Sequence, residues 1–171
     1  FPKDTKGLVS AAEKFRINLP VVKTVIKSNH NRIGLLIKRI HKILGSSLKN
    51  KNISILGVTF KPNTDDMRDS PSLDIVASLQ GAGATIRAYD PEGMEEAETM
   101  MANVIWCADA YETMGGADAV SIITEWNQFR ALDLERARSL LKAPVMIDLR
   151  NIYDPEEMAS AGFTYVSVGR A

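Results

Sequence analysis

The sequence predicts an α/β protein: a long amphipathic helix followed by a doubly wound, mainly parallel sheet. Two patterns carry that prediction. Up to about residue 48 the apolar residues recur at helical spacing, and beyond it short apolar runs alternate with helical segments. The composition agrees, with 45% hydrophobic and 25% charged residues in 171 positions, enough to build a sizeable core.

Residues 5–16 fit a short helix around Leu8, Val9, Ala12 and Phe15. Pro20 permits a fresh start, because proline suits a first helical turn. From there Val22, Val25, Ile26, Ile33, Leu36, Ile37, Ile40, Ile43 and Leu44 mark one face of a helix over about 20–48, with lysines and arginines opposite. A helix of that length spans ~43 Å and cannot bury such a stripe alone, so it must lie across a domain or a partner. The predicted strands are 53–56, 85–89, 104–106, 119–123, 145–148 and 165–168. Helices are predicted at 71–82, 91–102, 109–116, 132–142 and 155–161. Pro71, Pro91 and Pro155 each sit where a first turn would begin, behind Ser70, Asp90 and Asp154 as N-caps. This alternation predicts a Rossmann-like sheet. Residues 1–49 then form a helical arm and residues 50–171 the sheet domain.

The formal net charge of zero conceals an asymmetry. Residues 1–51 carry +10 and residues 52–171 carry −10. Either the basic arm packs on an acidic neighbour or it binds anions. The basic residues ring a helix without interleaved aromatics, so nucleic acid is not the predicted partner. No run is long and apolar enough for a transmembrane helix. A single cysteine, Cys107, cannot close an internal disulfide, which fits a reducing cytoplasm. His30 and His41 have no second ligand at metal spacing, so no metal is predicted. The chain opens on Phe1 rather than Met and reads as a piece of a longer product.

In doubly wound sheets ligands bind beyond the carboxyl ends of the strands. Three places qualify: the loop after the first strand, Asp90 after the second, and Asp148–Arg150 after the fifth. The first is long for its type and holds Lys61, Arg68, Asp65, Asp66 and Asp69. Its charges either neutralise one another and order the loop, or the aspartates hold Lys61 and Arg68 toward an anionic ligand. The first turn lacks Gly-x-Gly-x-x-Gly, so the sheet alone does not imply a dinucleotide. Tyr89-Asp90-Pro91 reads as a strand end and helix cap.

The segment Gly57-Val58-Thr59-Phe60-Lys61-Pro62-Asn63-Thr64-Asp65-Asp66-Met67-Arg68-Asp69-Ser70-Pro71 closely resembles a signature of the UDP-glucose/GDP-mannose dehydrogenase family. Ile123-Thr124-Glu125-Trp126-Asn127-Gln128-Phe129, Ile147-Asp148-Leu149-Arg150-Asn151 and the opening Phe1-Pro2-Lys3-Asp4-Thr5 resemble further family segments, in family order. The resemblance implies a C-terminal portion: a long dimer-forming helix and a UDP-sugar-binding domain, without the N-terminal NAD domain or the catalytic cysteine. The implied activity is oxidation of UDP-glucose to UDP-glucuronate by two hydride transfers to NAD, through a thioester on that cysteine. By the same resemblance Asp4 would position or activate water, Lys3 and Arg68 would approach NAD, and Phe60, Lys61 and Arg150 would meet the UDP-sugar. The cations suit its doubly charged diphosphate. GDP-mannose or a UDP-N-acetylhexosamine is the alternative substrate within the family. A non-enzymatic receiver-like switch is the alternative outside it, but it would need an acidic pair where the first strand ends in Leu56-Gly57. A fragment of this kind is expected to be inactive alone and to form a homodimer through the helix.

Overall fold

A computed structural model describes residues 2–170 of the chain. Two helices come first, α1 (Pro2–Lys14) and α2 (Pro20–Leu44). Six strands follow: β1 (Asn52–Leu56), β2 (Thr85–Tyr89), β3 (Val104–Trp106), β4 (Ala119–Ile122), β5 (Val145–Asp148) and β6 (Thr164–Ser167). Between them run α3 (Pro71–Gly81), α4 (Met94–Met100), α5 (Ala110–Met114), α6 (Asn127–Arg130), α7 (Leu134–Leu140) and α8 (Pro155–Ser160). The sheet order is β3-β2-β1-β4-β5-β6, and every neighbouring pair is parallel.

The central strands are apolar along most of their length because both faces of the sheet are covered. On one face Ile40 of α2, Ile75 and Leu79 of α3, and Ala97 of α4 pack with Ile53, Ile55 and Ile86. On the other, Met114, Phe129, Ala137 and Met158 from α5–α8 pack with Leu56, Val120, Ile122 and Met146. The chain therefore winds outward from β1 on one face, crosses, and winds outward from β4 on the other. The switch point lies between β1 and β4. In register, Leu56 stands level with Tyr89 and Ile122, and Ile122 with Asp148. The loops after β1, β2, β4 and β5 consequently leave from one line.

The second half of α2, from Ile33 to Leu44, lies on the core, with Ile40 fully buried. The first half of α2, α1 and the turn between them leave apolar side chains in solvent, Val21 at 75%, Leu8 at 53% and Phe15 at 78% exposure.

Three boundaries depart from the sequence expectation. The long helix stops at Leu44 rather than 48, because Gly45 takes a left-handed φ of 95° and its N–H closes onto the His41 carbonyl. Leu48, fully buried, then belongs to the turn into the sheet and donates its N–H to Ala82. Pro91 does not start a helix, since α4 begins only at Met94, behind Gly93. The short α6 after β4 was not predicted. By contrast Ser70 and Asp154 do cap, accepting from the amides of Ser72 and of Glu156 and Glu157.

Candidate functional site

At the switch point the loops after β1 and β4 touch. Gly57 has φ of +81°, and a Cβ there would stand 2.6 Å from the Thr124 Cβ and 2.8 Å from the Thr124 backbone. Only glycine admits both that conformation and that approach. One residue on, the Val58 carbonyl accepts from the hydroxyls of Ser70 (2.7 Å) and Ser72 (2.5 Å). The long loop is thus pinched shut at its neck, where α3 begins. The Thr124 hydroxyl donates to the Thr59 carbonyl at 2.6 Å, which stitches the β1 loop to the β4 loop.

Above the neck the loop folds on itself, with the Phe60 N–H donating to the Asp66 carbonyl at 2.8 Å. Phe60 is half-buried and Lys61 is exposed. The Arg68 guanidinium grips Asp66 through two bonds of 2.9 Å, while the Arg68 N–H donates to the same carboxylate at 3.0 Å. The Arg68 side chain is 86% exposed. The sequence left two readings for these charges, and the pairing of Arg68 with Asp66 is common to both. Two residues apart, acid and base meet without any rearrangement of the chain.

Asp66 is held at about pKa 2, first by the Arg68 side-chain hydrogen bond and then by the Arg68 backbone N–H, with smaller help from the Arg68 and Lys61 charges. A folded-state pKa below the unfolded value means the clasp is complete above about pH 4 and is lost as pH falls through about 2. Carbon-detected titration of the Asp66 carboxylate should give a midpoint near 2. A midpoint near 4 would show that the clasp does not form.

After β5, on the same carboxyl edge of the sheet, Arg150 is half-buried. Its Nε lies 3.1 Å from the Glu125 carboxylate and donates to the Ile123 carbonyl. Its terminal amino groups make no hydrogen bond among the described residues. Its ion-pair partner is Glu125 rather than the nearby Asp148. Asp148 instead accepts from the Arg150 backbone N–H at 2.8 Å and, on its other oxygen, from Ile152 and Tyr153 amides and the Tyr165 hydroxyl. Burial, together with bonding to Asp148, pushes the Tyr165 hydroxyl far above its ordinary pKa, so it stays a donor.

Asp90 is likewise fully buried. It accepts from Val58 N–H (2.7 Å), Thr59 N–H (3.1 Å), the Thr59 hydroxyl (3.1 Å) and the Trp126 indole (3.1 Å) on one oxygen, and from Glu92 and Gly93 N–H on the other. The sequence reading of Asp90 as a helix cap is therefore corrected. It caps no helix and joins three loops. An acid at the end of a strand, followed by proline, was the available signal. Its meaning depended on donors more than thirty residues away.

Lys3 and Asp4 are exposed in the first turn of α1, where the helix dipole favours an acid. Their neighbours Thr5 and Lys6 line a cavity of about 400 Å³ whose other wall includes Asp69 and Ser70, next to Arg68. The fold thus brings the segments carrying Lys3, Asp4 and Arg68 to one cavity, and those carrying Phe60, Lys61 and Arg150 to the carboxyl edge of the sheet. A wider groove of about 540 Å³ between α1 and α2 is lined by Lys6, Lys23, Lys27 and His30. None of the predicted site residues lines it. Among the described residues no group of three or more His, Cys, Asp or Glu could hold a metal ion. No described helix is long and apolar enough to cross a membrane. Cys107 is buried just after β3, and burial pushes its thiol pKa up.

Residues 54–155 match the model of the UDP-glucose/GDP-mannose dehydrogenase family, UDP binding domain. A UDP-glucose 6-dehydrogenase of Rhizobium meliloti is 46% identical over 170 residues, covering 99% of this chain and 39% of the relative. One from Rickettsia bellii is 39% identical over 171 residues, again 99% of this chain and 39% of the relative. A solved UDP-glucose dehydrogenase from the archaeon Pyrobaculum islandicum superposes on all of this chain and 37% of its own, with a TM-score of 0.82 and 26% identity. The chain spans about two fifths of the length of these relatives.

Proposed function

The chain belongs to the UDP-glucose/GDP-mannose dehydrogenase family, with residues 54–155 forming its UDP-binding domain, and from that premise we propose that it supplies the nucleotide-sugar half of an NAD-dependent UDP-glucose 6-dehydrogenase. In this reading residues 50–171 receive the UDP-sugar and residues 1–49 form the arm that meets other protein. The observation that carries it is the anchoring of Arg150. Glu125 and the Ile123 carbonyl hold Nε, while the terminal amino groups remain for a ligand. Lys61, exposed on the loop after β1, supplies the second cation. Two cations suit a diphosphate, whose oxygens accept charge-assisted hydrogen bonds. Phe60 offers a half-buried aromatic surface beside them.

This sheet does not build a site for the dinucleotide itself. The turn after β1 lacks the glycine fingerprint, and the acid that ends β2, where dinucleotide sheets meet a ribose, has both oxygens filled by protein donors. Lys3 and Arg68 are proposed to reach an NAD held outside this sheet, and Asp4 to orient water beside the cavity that their neighbours Thr5 and Asp69 line. Calorimetric titration tests the reading. UDP should bind the chain saturably and NAD should not. Absence of UDP binding, or equal binding of both, would contradict it. Competition by GDP at comparable affinity would instead favour a GDP-mannose substrate.

The only cysteine is Cys107, buried and with a raised thiol pKa, so the chain offers no thiolate for covalent capture of an aldehyde. The 171-residue chain given UDP-glucose and NAD is expected to make no NADH above a Lys61→Ala/Arg150→Ala control. Formation above that control would overturn the division of labour.

The exposed apolar residues Leu8 on α1, Phe15 in the turn after it, and Val21 and Val25 on α2 support a homodimer through the arm. Sedimentation at micromolar concentration should show a dimer. A monomer only would remove this part of the proposal.

A further inference from the structure

We propose that Asp90 is a positioning residue for the nucleotide-sugar site, coupling the Lys61 loop to the Arg150 loop at the carboxyl edge of the sheet; the inference rests on the UDP reading above. Its two carboxylate oxygens receive six donors from three loops, and no cation is among them. One oxygen carries four of these. Three come from Val58 and Thr59, immediately before Phe60 and Lys61. The fourth is the Trp126 indole, whose chain neighbour Glu125 holds the Arg150 Nε at 3.1 Å. A single buried charge therefore fixes the root of one cationic arm directly and the anchor of the other through two adjacent side chains. The packing around it leaves no slack: a Cβ on Gly93 would stand 2.2 Å from the Thr59 methyl and 3.3 Å from the Asp90 carboxylate.

The arrangement needs a carboxylate rather than an amide. An asparagine in the same place would present its NH2 either to the two N–H groups of Glu92 and Gly93 or to the four donors on the other side. Either choice sets donor against donor inside the protein. A diphosphate is held by both arms only if their spacing is kept, so loosening this junction should weaken binding without removing any group that touches the ligand.

The test uses the full 171-residue chain and UDP, with affinity read by calorimetry. Asp90→Asn is the direct variant. Trp126→Phe keeps an aromatic side chain, smaller than the indole, and deletes one donor, so it carries the test where Asp90→Asn fails to fold. Trp126→Phe is expected to weaken UDP binding roughly tenfold, the scale of one lost hydrogen bond to a charged group. The same change in an Arg150→Ala background should cost less than about threefold, because the side chain being positioned is gone. Ile86→Val, a core truncation in β2 away from the loops, should lower the melting temperature and leave UDP affinity as it was. An equal Trp126→Phe penalty in both backgrounds, or none in the first, overturns the proposal. A wild-type chain that does not bind UDP contradicts the nucleotide reading and takes the Asp90 proposal with it. The two failures are therefore told apart by the unmutated chain.

Discussion

Alanine at Gly57 is expected to destabilise the fold by about 2–6 kcal/mol. Two costs add at this position. A left-handed φ of +81° imposes about 1–3 kcal/mol of strain on a residue with a Cβ. Forcing that Cβ against the Thr124 backbone at 2.8 Å adds an overpacking cost of about 1–3 kcal/mol. Neighbours cannot yield cheaply, because the Thr124 hydroxyl is committed to the Thr59 carbonyl and its backbone sits at the end of β4. At roughly 2–4 °C per kcal/mol for a chain of this size, the melting temperature should fall by about 10 °C. Gly116 provides the control, since it shares a positive φ of +69° but a Cβ there meets nothing within 4 Å. Gly116→Ala should show the strain cost alone. Equal losses at the two positions in calorimetric unfolding would mean that the close approach of the β1 and β4 loops does not exist in solution.

The second large effect concerns the ligand. Lys61→Ala and Arg150→Ala are each expected to weaken UDP binding by about 1.5–3 kcal/mol, roughly 10- to 150-fold, as removal of a charge-assisted hydrogen bond does. Arg150 should stand at the upper end, because its Nε is already fixed and little side-chain entropy remains to be lost on binding. Lys61, exposed and mobile on its stem, should stand at the lower end and show the steeper dependence on salt. Arg68→Ala should change UDP affinity less than about threefold, since Arg68 is engaged by Asp66 and faces solvent. Calorimetric titrations of the three variants read this order directly. A loss at Arg68 that matches the loss at Arg150 would place the diphosphate elsewhere on the loop.

What could be read in the sequence was what neighbouring residues decide among themselves. The strands follow from short apolar runs, and Ser70-Pro71 and Asp154-Pro155 mark helix starts because cap and proline act within one turn. The end of α2 was misplaced because the apolar stripe runs past Gly45 to Leu48, and that leucine is buried by the turn after the helix rather than by the helix itself. Asp90 was misread for a similar reason. Locally it has the form of a cap, while four of its six donors come from residues 31 to 36 positions away. Glu125 as the partner of Arg150 depends on β4 and β5 ending side by side, which only the strand order reveals. Arg68 presents the opposite case. Its partner is two residues away, but the choice among Asp65, Asp66 and Asp69 is made by the loop closing through Phe60 and Asp66.

The account stands most directly on where UDP lands. A titration of the 15N-labelled chain with UDP should give saturable shifts concentrated on Phe60, Lys61, the Trp126 indole and the Arg150 side chain, with the α1–α2 groove around Lys23 and Lys27 unmoved. Saturable shifts confined to that groove, or none at millimolar UDP, would contradict the assignment of the carboxyl edge of this sheet as the nucleotide-sugar site.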